Sequence, residues 1–199
     1  MGRPKALVEV GGRTLAERAV AALAPVVERV VLVGRGPVPP ALAGLERLDD
    51  ALLAAPPARP EAGLAGGPPG GRRGAAGRGP GGGPLAGLLA ALRSAPGAAW
   101  LLCPCDLPGV EPAAAAWLAG ERRPGRLAVL PRPSAAGPVD PLFALYEPEV
   151  LPLVEALAAA GARAPRELAR LPGVAVLEPP AALAPCWRDA DTPDELARL

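Results

Sequence analysis

Apolar positions fall into short unbroken runs separated by helical stripes. Thr14-Leu-Ala-Glu17 fits a capping box, and Leu15, Ala19, Ala22 and Leu23 follow at helical spacing, predicting a helix over 15–24. Residues 29–34 (RVVLVG) are β-branched, short and closed by Gly, which predicts a buried strand. A weaker strand is expected near 45–48. Pro84 occupies a first-turn position, and Leu85, Leu88, Leu89 and Leu92 form one helical face. Residues 98–105 (AAWLLCPC) predict a second buried strand that ends at Asp106. Further helices are expected over 112–120, 148–160 and 165–171, and strands over 127–130, 139–146 and 174–177. A second capping box, Thr192-Pro-Asp-Glu195, opens a terminal helix to Leu199. Strands that alternate with helices and carry continuous apolar runs argue for an α/β fold. Its three layers would enclose a mostly parallel sheet.

Composition changes this picture in one place. Gly (25) and Pro (29) are abundant enough in 199 residues to warn of disorder. They concentrate over about 54–83, most densely in GGPPGGRRGAAGRGPGGG, so we expect one domain over 1–199 that carries a flexible Gly/Pro/Arg loop. The chain contains no Ile, Asn, Gln or His and a single Lys, a bias that makes Lys5 stand out.

Charge and cysteine content exclude several functions. With 21 basic against 20 acidic residues, a broad electrostatic grip on nucleic acid or an anionic membrane is not expected. No apolar run approaches the roughly 18 residues of a membrane helix. The first ten residues lack a signal-peptide pattern, so a cytoplasmic location is expected. Three Cys without His leave no disulfide scaffold, zinc finger or His-based catalysis. Cys103 and Cys105 have C-x-C spacing on a strand and read as small buried hydrophobes. Trp100, Trp117 and Trp187 read as core residues. Arg72, Arg73 and Arg78 lack the interleaved aromatics of RNA-binding segments and read as part of a solvated loop.

Candidate chemistry collects at strand ends, where open α/β sheets bind ligands. Asp106, directly after an apolar strand, either holds Mg²⁺ or begins a turn. Asp189 and Asp191 either pair across one face of an extended segment or serve the helix that Thr192 caps. Arg3 and Lys5 either neutralise phosphates or belong to a solvated terminus.

Together these segments resemble the molybdenum cofactor guanylyltransferases. Met1-Gly-Arg-Pro-Lys5-Ala-Leu is similar to the end of that family's LAGGxSRRMGxxKaL signature, and Gly83-Pro-Leu-Ala-Gly87 to its GPLAG motif. Cys103-Pro-Cys-Asp-Leu-Pro108 is similar to its CD-x-P segment, and Pro141-Leu-Phe-Ala-Leu-Tyr146 to its PLFALY strand. Asp189-Ala-Asp-Thr-Pro-Asp-Glu-Leu196 is similar to its NxNTPEDL segment. Five motifs in family order span nearly the whole chain.

The resemblance implies a Rossmann-like nucleotidyltransferase fold and transfer of GMP from GTP to molybdopterin (Mo-molybdopterin), with Mg²⁺ and release of pyrophosphate. Asp106 and Lys5 would be catalytic. Lys5, Arg3, Gly83, Pro84, Leu85 and Gly87 would bind nucleotide, and Asp106, Asp189 and Asp191 would bind metal. Molybdenum cofactor biosynthesis proteins or molybdoenzyme chaperones are the protein partners it suggests. Three departures qualify it. The family's preceding strand and glycine-rich loop have no counterpart before Met1; we expect a truncated or misassigned start, and therefore a gap in the sheet. Residues 66–82, before GPLAG, contain no acidic side chain to accept from guanine. Asp189 and Asp191 stand where the family has amides. The second and third departures keep open a CTP-dependent cytidylyltransferase of the same superfamily, and the first an impaired, truncated homologue or a non-catalytic partner-binding protein.

Overall fold

The computed structural model describes residues 4–50, 83–162 and 164–190. Helix α1 (Leu15–Leu23) starts on the expected capping box. Thr14 Oγ1 accepts the Glu17 amide at 3.2 Å, and Glu17 Oε2 accepts the Thr14 amide at 2.7 Å. Hydrogen bonding from the Thr14 side chain, then from its backbone, holds the Glu17 carboxyl below its ordinary pKa. Ahead of α1 lies a hairpin that the pattern did not predict, β1 (Glu9–Val10) against β2 (Arg13–Thr14). It turns on Gly11 and Gly12, whose φ values of 60° and 76° suit the mirror-image turn that joins short hairpins.

Helices α2 (Pro84–Ser94), α3 (Pro112–Gly120) and α4 (Leu151–Ala159) each carry Pro in the first turn. The helix expected over 148–160 is divided, with a 3-10 turn over Pro148–Val150 before α4. Pro152 has no N–H with which to reach the Pro148 carbonyl, so the α ladder cannot begin earlier. The helix expected over 165–171 is a 3-10 stretch, Pro165–Arg170. The expected terminal helix lies outside the described residues.

Beyond this hairpin, the strands of the described residues form two further sheets. β3 (Leu32–Val33) pairs in parallel with β4 (Arg47–Leu48). β5 (Trp100–Leu102), β6 (Ala128–Pro131), β7 (Ala144–Tyr146) and β8 (Val174–Leu177) form a sheet in the order β5-β7-β6-β8. This sheet is mixed rather than mostly parallel. β7 runs antiparallel to both neighbours, while β6 and β8 are parallel. The connection from β6 to β7 contains no helix, so the chain returns alongside β6 instead of crossing over.

Alternate residues of the large sheet feed two cores. Val129 and Leu145 pack with Ala22, Leu23, Ala114 and Leu118 from α1 and α3. Ala128, Leu130, Ala144 and Tyr146 pack on the other face with Leu85, Leu88, Leu89, Leu92 and Val154 from α2 and α4. The result is an α/β/α sandwich. No helix among the described residues is long and apolar enough to cross a membrane.

Candidate active site

The carboxyl ends of β5 and β6 lie at the same sheet edge as the amino end of β7, as their registers require. Asp106 follows β5 there, and Lys5 reaches it across 101 residues of sequence. Lys5 Nζ donates to Asp106 Oδ2 at 3.1 Å, with both side chains about one-third exposed. Lys5 opens a 3-10 turn (Lys5–Leu7) that the β1–β2 hairpin holds against α1, where the Leu15 amide donates to the Val8 carbonyl at 2.8 Å. Arg18 of α1 donates to the Pro108 carbonyl at 2.8 Å, fixing the loop that carries Asp106. A hydrated, frayed Lys5 is therefore not what the fold presents.

Asp189 arrives from the far end of the chain on an aromatic anchor. Trp187 stacks on Phe143 (centroids 4.9 Å apart) and meets Trp117 edge-on at 5.7 Å. Its indole N–H donates to the Phe143 carbonyl at 2.9 Å. The Ala190 amide then donates to the Asp106 carbonyl at 3.2 Å, tying this segment beside Asp106. Gly109 permits the approach: a Cβ there would stand 3.1 Å from the Pro185 carbonyl oxygen. Asp191 and Arg3 lie outside the described residues.

Sequence reasoning missed Asp140. Its Oδ1 accepts the amides of Leu142 (2.7 Å) and Phe143 (3.0 Å), and its own amide donates to the Pro131 carbonyl at 2.7 Å. Burial pushes its carboxyl up and the two backbone hydrogen bonds oppose that; the charges of Asp106 and Asp189 raise it further. The signal was legible as an acid directly before the Pro141–Tyr146 motif, at the sheet edge already identified. Arg132, just after β6, has a buried Nε with no hydrogen-bond partner among the described residues.

Gly83, Pro84, Gly87 and Asp106 line one groove of about 1250 Å³. Leu85 does not present its side chain to a ligand: it is 1% exposed and packs into the core, so only its backbone is available. At Gly87 a Cβ would meet Val33 Cγ1 at an ordinary 3.6 Å, so close packing alone does not demand glycine there. Burial pushes the Cys103 thiol far above its ordinary range, with the charges of Cys105, Asp140 and Asp106 adding to the effect. Burial is also the largest cause raising Cys105. Neither thiol is poised as a nucleophile or metal ligand.

Carboxylate oxygens suit a hard dication. Among the described residues no three acidic or sulfur side chains converge to cage one unaided. Asp106 and Asp189 are two carboxylates on segments joined by the Ala190–Asp106 backbone hydrogen bond, and Mg²⁺ sites of this chemistry commonly take part of their shell from substrate phosphates.

A family profile, the MobA-like NTP transferase domain, matches residues 1–174. The chain belongs to this family. The nucleotidyltransferase class follows from that membership. A comparison with curated proteins gave no significant match. Among solved structures, the chain resembles molybdopterin-guanine dinucleotide biosynthesis protein A from Archaeoglobus fulgidus. Identity is 22% and the TM-score 0.65, over 99% of this chain and 89% of that one. It also resembles 2-C-methyl-D-erythritol 4-phosphate cytidylyltransferase from Thermus thermophilus, at 21% identity and a TM-score of 0.60. That match spans 98% of this chain and 91% of the other. At these identities the likenesses establish the nucleotidyltransferase fold, and the MobA-like chain resides within it.

Proposed function

We propose that this MobA-like chain transfers GMP from GTP to Mo-molybdopterin, forming a guanine dinucleotide cofactor and releasing pyrophosphate. The observation that carries the reading is the Lys5–Asp106 pair, which joins the two motif segments at the sheet edge beside the groove. In this reaction a terminal phosphate oxygen of the pterin attacks the α-phosphorus of GTP. A new P–O bond forms, the α–β bridging P–O bond breaks, and pyrophosphate leaves with its electron pair. Catalysis of this type is mainly positioning and charge neutralisation.

Lys5 neutralises the triphosphate and releases its hold on Asp106 as the nucleotide enters. Asp106 and Asp189 would hold Mg²⁺, which when bound supplies charge compensation at the phosphates. Asp140 lends negative charge behind them. The residues over 83–87 offer backbone to the nucleotide near the start of α2, and Arg132 offers a cation to an anionic acceptor. From the motif resemblance we assign Arg3 to the triphosphate and Asp191 to the metal side.

The acidic Asp189, where the family carries an amide, favours a second reading in which CTP is the donor. Pyrophosphate release with Mo-molybdopterin and either GTP or CTP separates the two. We expect GTP to be preferred, and Lys5→Ala to raise the GTP KM or lower kcat. Preference for CTP would move the chain to the cytidylyl branch. No pyrophosphate release with either nucleotide would contradict both readings.

A further inference from the structure

Lys5 and Asp106 meet from two segments whose backbones are both anchored. The Leu15 amide, donating to the Val8 carbonyl, holds the Lys5 turn against α1. Asp106 is held twice, by the Ala190 amide on its own carbonyl and by Arg18 on the Pro108 carbonyl. The part that can move is the Lys5 side chain, a point charge on a flexible four-carbon stem. Its ammonium donates to Asp106 Oδ2 at 3.1 Å, with 34% and 29% of the two side chains exposed. Water and ions reach such a pair, so burial does not close Asp106 to a metal. Charge does. Asp106 and Asp189 lie within electrostatic reach of Asp140, so three carboxylates crowd this edge and attract cations of any kind. Lys5 is a cation already attached to the chain.

We infer that Lys5 is a tethered counter-ion that keeps free Mg²⁺ off Asp106 until a phosphate chain draws the ammonium away, so that metal and nucleotide enter as one complex. A carboxylate oxygen binds Mg²⁺ at about 2.0–2.1 Å, so an ion on Asp106 would stand within about 6 Å of the Lys5 ammonium, a like-charge approach. Mg²⁺ also gives up water reluctantly, and two carboxylates offer little in exchange. A phosphate chain serves both sides of the exchange, because its oxygens accept from Lys5 and complete the metal's shell. The coupling is reciprocal: nucleotide tightens metal binding by the factor by which metal tightens nucleotide binding. Partly exposed ion pairs are weak, which makes this gate a bias of about tenfold rather than a block. The inference rests on the metal half of the proposed function and is independent of the base and of the acceptor.

Mn²⁺ takes similar oxygen ligands and is paramagnetic, so it serves as the probe. Its Kd for the chain without nucleotide, read from the free-ion electron paramagnetic resonance signal, should fall about tenfold in Lys5→Met, which keeps the apolar stem without the charge. Lys5→Gln, uncharged but polar, should show the same gain, and circular dichroism should match the parent. Lys5→Arg retains the charge and should bind Mn²⁺ as weakly as the parent does. Asp106→Asn added to Lys5→Met should abolish the gain. Equal Kd in the parent and in both uncharged variants overturns the inference, as does a gain that survives Asp106→Asn. Failure of Mn²⁺ to bind either uncharged variant overturns it too, and removes the metal from the proposed function. A gain in Lys5→Met, with neither GTP nor CTP binding the parent in the presence of Mn²⁺, supports the gate and contradicts the proposed function instead.

Discussion

β6 and β3 are both short runs of Val, Leu and their like, yet every residue of β6 is buried while Val33 of β3 is largely open. β5 lies between these extremes, apolar throughout but only half-buried. The three differ in neighbours rather than in composition. β6 has β7 on one side, β8 on the other and a helical layer on each face; among the described residues β3 and β5 each have one strand partner. An apolar strand records the burial it needs, whereas its neighbours decide the burial it receives. β3 extends over two residues of an expected six, matching the two-residue length of its partner β4.

The contrast can be tested first where the effect is largest. Leu130→Ala in β6 should destabilise the fold by about 2–5 kcal/mol, because its site is closed on every side. Val33→Ala should cost under about 0.5 kcal/mol at its exposed position. Urea denaturation of the two variants measures the difference, and equal losses would erase the distinction between the sheets. Next, Asp106→Asn at the junction of the two regions should lower Mg²⁺-dependent turnover roughly 10²–10³-fold, while circular dichroism and Tm stay close to the parent. Retained activity would remove Asp106 from the site.

Smaller effects sharpen the same boundary. Thr14→Ala removes the α1 cap on the open side and should cost about 1 kcal/mol, read from the urea midpoint. Asp140→Asn probes the closed side. The folded pKa of Asp140 is raised, so the native state holds its proton more tightly than the unfolded chain does. Its contribution therefore weakens as pH rises through the carboxylate range towards neutrality. Asn keeps an oxygen for the Leu142 and Phe143 amides but carries no charge. The variant should show a flatter Tm-versus-pH profile and a modestly higher Tm at neutral pH. A profile parallel to the parent's would mean that Asp140 is not burdened by its burial.

The α1 cap, the Leu face of α2 and the strand before Asp106 were all legible because local periodicity and capping chemistry determine them. Antiparallel β7 was not, since strand direction depends on whether a helix fits in the connection, and apolar runs look alike in either orientation. Lys5 and Asp106 each stood out in the sequence, but their pairing was not read, because no local signal links residues 101 positions apart. Asp140 went unread although it borders a recognised motif, for its meaning comes from a turn that brings it to the same edge as Asp106. Trp187 was expected in the core; its further part in seating Asp189 emerges only from the tertiary contacts with Phe143 and Trp117.

We propose that the Lys5–Asp106 edge binds GTP together with Mg²⁺. Thermal unfolding of this chain with GTP or CTP, each with and without Mg²⁺, tests that binding most directly. A ligand at a hundredfold excess over its Kd stabilises the native state by about 2.7 kcal/mol, a readily measured rise in Tm. We expect a Mg²⁺-dependent rise with GTP that exceeds the rise with CTP and is lost in Asp106→Asn. No rise with either nucleotide, or an equal rise in Asp106→Asn, would contradict that binding.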